Sequence, residues 1–261
     1  RESTQAFQYN MNELGNSEYS RRANEDMLRQ IQNTPGFWDN LWKGIVGTNL
    51  TGLGTMPGVF GQSFAQGMGD ALAKKFEAER AVADGASNFF GTRQLRTALA
   101  IADACYQTLR EHGVAAMAAA ERHEPDEAFE AVVEANVLMA GLAWESGGLS
   151  YAHAVVRGLV KARGAASAPH GDHVGYATLV QLAIEGRDDG FILDVIGFNR
   201  SVGLPASLAE LDMGSPTPDE IAEIARLTTI GPKGGRIIVN ADPGQIADAI
   251  KRIEQLATRE S

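Results

Sequence analysis

A chain of 261 residues, 44% apolar and 21% charged, has ordinary globular composition and is long enough to bury a core without staples. Its net charge of −10 argues against nucleic acid or an anionic membrane face as partner, and no apolar run reaches the roughly 20 residues of a bilayer span. Cys105 is the only cysteine, so an internal disulfide is excluded and a reducing, cytoplasmic setting is expected.

The chain opens RESTQAFQYN, polar throughout and beginning on Arg1 rather than Met. No signal peptide is visible in it, and the start is expected to be processed, truncated or engineered. Residues 1–56 read as a separate, partly helical segment rich in Asn, Gln and Gly. A helix is expected from Ser17 to Ile31, with Ser17 as N-cap and Pro35-Gly36 breaking the chain after it. A second, short helix would carry Phe37, Trp38, Leu41, Trp42 and Ile45 on one face, before the glycine-rich connector GTNLTGLGTMPG.

Residues 57–261 change to an alanine-rich helical texture and are expected to form an all-α domain. Helices are predicted over 63–83, 93–112, 126–144, 150–163, 172–186, 189–202, 217–229 and 243–257. Thr217-Pro218-Asp219-Glu220 offers an N-cap, a proline at the first helical position and a glutamate at the third. Asp242-Pro243-Gly244-Gln245 repeats that grammar, and the last helix places Ile246, Ile250, Ile253 and Leu256 on one stripe. Only RIIVN (236–240) reads as a strand.

Three of the five histidines fall within SYAHAVVRGLVKARGAASAPHGDH (150–173). His153 lies among Ala152, Ala154, Val155 and Val156, where burial is expected and a buried imidazole needs a partner. His170 follows a proline at the entrance to the next helix, so the two are a plausible half of a zinc site, although their spacing matches no standard motif. On the residues alone, Asp70 in GMGDALAKKFEAE reads as a capping carboxylate rather than a third ligand. His112, before Gly113, is placed at a helix end, and His123 in the solvated run ERHEPDE. Cys105 joins Ala98, Ile101, Ala102 and Leu109 on a core stripe; Asp188-Asp189 reads as a helix cap, and the acidic stretches 121–130 and 219–223 as solvated helix starts.

GDALAKKFEAE, ANVLMAGLAWESGGLSYAHAVVRGL and APHGDHVGYATLVQLAIEG, in that order and followed by VGLPASLAELDM (202–213), resemble the glycerol dehydrogenases. These belong to the iron-containing alcohol dehydrogenase superfamily, and the resemblance runs over roughly Met56 to Leu256. It implies a helical C-terminal domain holding one divalent metal through the aspartate of GDAL and two histidines, here Asp70, His153 and His170. His173 stands where relatives often carry lysine and is read as a neighbour of the ligands or a surface residue. Iron-using relatives place a further histidine one turn after the aspartate, where this chain has Lys74. The resemblance therefore implies zinc, with iron or another divalent metal as the alternative. Trp144 and Ser146, in Trp144-Glu145-Ser146-Gly147-Gly148, correspond to the substrate side; Trp144 would wall the pocket or, equally, pack in the core. The implied chemistry is oxidation of a small polyol or alcohol with hydride transfer to NAD, in a homo-oligomer.

The nucleotide site of such an enzyme is missing from this reading. Gly52-Leu53-Gly54, with Gly58 beyond, follows no convincing strand and opens no βαβ unit. One expectation is thus a split or truncated dehydrogenase whose NAD-binding domain comes from a partner chain or has been lost. The alternative is a non-catalytic metal-binding helical domain used for assembly or protein interaction. A third places an interaction helix at Phe37, Trp38 and Trp42, for a partner protein or a membrane surface, against the reading that these aromatics pack on the helical domain.

Overall fold

A computed structural model of the chain describes residues 59–231 and 236–259. The expectations for residues 1–58, including the Ser17 helix, the Phe37-Trp38-Trp42 face, the glycine-rich connector and the boundary at residue 56, lie outside the described residues.

The described part is all α, with no strand among the described residues. Helix α1 spans Val59–Ala83, α2 Arg96–Arg122 and α3 Glu127–Glu134. A π-helical turn, Ala135–Met139, joins α3 to α4 (Ala140–Gly147). Then come α5 (Tyr151–Leu159), a 3-10 turn (Ala165–Ser167), α6 (His170–Ile184), α7 (Asp189–Ser201), α8 (Pro218–Thr228) and α9 (Pro243–Arg259). No helix among the described residues is long and apolar enough to cross a membrane.

The sequence accounts for which helix is innermost. α6 has no polar stripe: Val174, Tyr176, Ala177, Leu179, Val180 and Leu182 surround its axis, and all are buried. A helix apolar on every side belongs inside, and α6 packs against α1, α5 and α9. By contrast α9 buries a single stripe, Ile246, Ile250, Ile253 and Leu256. Full burial of four such side chains contributes on the order of 6–12 kcal/mol of gross apolar transfer energy.

The predicted starts hold. Thr217 caps α8 in a complete capping box with Glu220. Asp242 accepts from the Gln245 amide at 2.9 Å and donates its own N–H to the Gln245 side chain at 2.9 Å. Asp188 caps α7 by accepting from Phe191 N–H. Cys105 is wholly buried, and its thiol lies 3.4 Å from Ala135 O at the π turn.

Two expectations fail. RIIVN is irregular rather than a strand: the Asn240 and Ala241 amides both donate to Tyr151 Oη, so neither joins a ladder. The helix expected over 93–112 runs on to Arg122, which puts His112 inside it instead of at its end. Gly113 is there because a Cβ would come within 3.1 Å of the Phe198 ring, not because the helix stops. The exposed His123 ends α2 instead, in a left-handed conformation with φ 56°.

Candidate metal centre

Three helices meet at Asp70. On α1, Asp70, Lys74 and Glu77 share one face by their four- and three-residue spacing. α5 brings His153, the third residue of the helix, and α6 begins on His170, directly after Pro169. The approach of α6 to α1 is permitted only by glycine. A Cβ on Gly171 would stand 2.0 Å from Gln66 O, and one on Gly69 would stand 2.3 Å from Gly171 O. Backbone therefore meets backbone beside Asp70, and His170 is set over it.

Asp70 Oδ1 lies 3.4 Å from His153 Nε2 and 3.8 Å from His170 Nε2. One ligand atom from each of the three residues falls within 4.8 Å of the others. In a tetrahedral zinc site with bonds of about 2.0–2.1 Å, ligand atoms stand about 3.3 Å apart, so shifts of a few tenths of an ångström to about 1.5 Å bring these donors to that spacing. Two imidazole nitrogens, one carboxylate and an open side suit a divalent metal. His170 is largely exposed, which leaves that side of the cluster accessible.

A carboxylate that the sequence reading passed over organises the cluster. Glu77 is fully buried; its Oε1 accepts from the Ser150 and His153 amides at 2.9 and 3.1 Å, and its Oε2 is 2.8 Å from His153 Nδ1. An ionised carboxylate can only accept, so Nδ1 carries a proton toward Glu77, and Nε2, on the Asp70 side, is the nitrogen left to bind a metal. The signal lay in the sequence as an acid seven residues after Asp70, between Phe76 and Ala78, where solvated charge is out of place.

Lys74 gives Asp70 its cation. Its ammonium sits 2.9 Å from Asp70 Oδ1 and 3.8 Å from Glu77 Oε2. Capping, the reading of Asp70 from the residues alone, is ruled out because α1 begins eleven positions earlier, at Val59. Burial would raise the Asp70 carboxyl, but the Lys74 charge and the His153 ring hold it well below the usual carboxylate range. Burial likewise works against the Glu77 carboxylate, and His153 and Lys74 outweigh it and push its pKa down. For His153 burial pushes down and Glu77 lifts the ring above its ordinary value. Burial lowers His170.

His173 stands outside this triad and is not at the surface: it is 2% exposed. Its Nε2 donates to Ala165 O at 2.6 Å, because α6 is enclosed on all sides and turns this ring toward the 3-10 turn. The contacts of Trp144 and Ser146 lead elsewhere. The half-buried Trp144 ring packs on Phe89 at 4.7 Å, and the Ser146 carbonyl accepts from Leu95 N–H. Among the described residues, no hydrogen bond or ring contact ties either residue to the triad.

Known proteins resemble this chain in sequence and fold. No protein-family model matches the chain. Glycerol dehydrogenase of Escherichia coli is 39% identical over 199 residues, which are 75% of this chain and 53% of that protein. Glycolaldehyde reductase of Halobacterium salinarum is 40% identical over 162 residues, 61% of this chain and 44% of that protein. The crystal structure of glycerol dehydrogenase from Schizosaccharomyces pombe superposes with a TM-score of 0.72 at 33% identity, covering 76% of this chain and 52% of that one. The helical part is a C-terminal domain of the glycerol dehydrogenase type. The chain spans about half the length of the curated relatives it matches. In this glycerol-dehydrogenase-type domain, Asp70, His153 and His170 come from three separate stretches of sequence and meet where α1, α5 and α6 converge.

Proposed function

We propose that this domain is the metal-binding half of a zinc-dependent alcohol or polyol dehydrogenase, with Asp70, His153 and His170 as the ligands. Iron or another divalent metal is the alternative occupant. The observation that carries the reading is the orientation of His153: a buried carboxylate fixes its Nδ1 proton and leaves Nε2 facing Asp70 and His170. The relatives favour the enzymatic reading over a non-catalytic assembly module.

When bound, a divalent ion there supplies Lewis acidity that lowers the pKa of an alcohol. This chain's residues do the rest. Glu77 orients His153 through two backbone amides and the ring, Gly69 and Gly171 bring His170 over Asp70, and the exposed side of His170 admits substrate. The names glycerol dehydrogenase and glycolaldehyde reductase share a two- or three-carbon skeleton with adjacent oxygens, and we assign that substrate class to this protein. The hydride leaves the carbinol carbon for NAD, held by a nucleotide-binding domain supplied outside the helical part, and the hydroxyl proton goes to solvent. Trp144 and Ser146 are assigned to the substrate side, with the stacked Phe89 as the partner of Trp144.

The test uses the cobalt(II)-loaded protein, whose visible absorption reports its ligands. Added glycerol or ethane-1,2-diol should perturb the spectrum in a saturable way, and no change at high concentration would contradict the reading. Titration with NADH then separates a complete enzyme from half of one: no binding up to millimolar concentration is expected if the nucleotide domain lies elsewhere.

A further inference from the structure

Lys74 has no part in the metal reading, yet it occupies the middle of the cluster. Its side chain is 3% exposed, and its ammonium contacts the same Asp70 oxygen that faces both imidazoles. A divalent ion held by the triad would lie about 2.1 Å from that oxygen. With Lys74 Nζ at 2.9 Å from it, ion and ammonium would then be no more than about 5 Å apart.

Charge counting gives the consequence. Asp70 and Glu77 together would balance a divalent ion, but Lys74 already neutralises one of these two charges. With the ion bound and the histidines neutral, the cluster keeps one positive charge in excess. Like charges this close, with the ammonium itself buried, repel more than a fully exposed pair would. Lys75, its chain neighbour, pairs instead with Glu79 and Asp103 on the outer face, so Lys74 alone carries this effect on α1.

We propose that Lys74 is a built-in competitor of the metal: it holds Asp70 in position while weakening retention of the ion, so that the centre is exchangeable. The inference rests on the metal-centre reading above. It also predicts an outcome opposite to that of ordinary damage, since removing a residue that merely supports a site weakens binding.

The experiment measures zinc affinity by competition with a chromophoric chelator in the wild-type chain and in Lys74→Gln, Lys74→Met, Lys74→Arg and Asp70→Asn, with folding followed by circular dichroism. Lys74→Gln and Lys74→Met should bind zinc about tenfold or more tighter than wild type, while Lys74→Arg, which keeps the charge, should stay within about threefold. Equal or weaker binding by either folded neutral variant overturns the role of Lys74. Should Lys74→Met fail to fold, Lys74→Gln decides, because its amide can still donate to Asp70. The metal reading fails separately: it falls, and this inference with it, if wild type binds no zinc or Asp70→Asn binds as well as wild type.

Discussion

Glu77→Gln tests the organisation of the centre because it changes one proton and almost no volume. Glu77 Oε1 accepts from two backbone amides, so the glutamine must keep its carbonyl oxygen there; the flipped amide would leave both N–H groups facing a donor, at about 1–3 kcal/mol each. That pins the NH2 group against His153 Nδ1, 2.8 Å away in the wild type. The ring must then accept at Nδ1 and carry its proton on Nε2, the nitrogen that faces Asp70. Metal affinity should fall about 10–100-fold, the usual effect of losing a partner that orients a ligand, while the fold survives. Glu77→Ala should in addition lose roughly 2–6 kcal/mol of stability, because both amides are left without an acceptor. Calorimetric zinc titration and urea unfolding on the same samples separate the two effects. A folded Glu77→Gln variant with wild-type zinc affinity would refute the tautomer reasoning.

Other substitutions probe the ligands and the helix crossing. His153→Ala and Asp70→Asn should sharply weaken zinc binding in a chelator competition, whereas His173→Ala should leave it nearly intact and cost about 1–3 kcal/mol of stability by orphaning Ala165 O. Gly171→Ala forces a Cβ onto Gln66 O, so α6 must lift from α1; urea unfolding should register a loss of about 1–3 kcal/mol or more, with weaker metal binding because His170 moves away from Asp70. The Glu220 carboxyl is held down to about 2 by the Arg163 guanidinium and the Thr217 amide. Its stabilising effect is therefore full above its ordinary pKa of about 4.5 and disappears as pH falls through about 2. Glu220→Gln should lower the melting temperature near neutrality, with the difference shrinking at high salt and vanishing at the acid end of that window. Burial pushes the Cys105 thiol up to about 12, so thiol reagents should label it only in denaturant.

Much of the fold was legible because local chemistry fixed it. The Thr217 and Asp242 capping boxes and the isoleucine stripe of α9 need no tertiary information. The misread stretches are those where distant packing decided the outcome. Gly113 looked like a stop signal but serves contact with Phe198, and RIIVN has strand composition while its exit amides go to Tyr151. At the centre, motif resemblance pointed to Asp70, His153 and His170, and the structure brings those three together. Glu77 escapes notice, and Lys74 reads only as standing where iron-using relatives have a histidine, because in sequence they are two charges among the many of AKKFEAE. Only the rotation of α1 turns them inward while Lys75 and Glu79 face out.

The most direct test of the metal centre is X-ray absorption at the zinc edge of the loaded protein. The triad predicts one zinc per chain in a nitrogen and oxygen shell at about 2.0–2.1 Å, with two imidazoles in wild type and one in His153→Ala. A sulfur ligand, or an imidazole count that His153→Ala leaves unchanged, would contradict it.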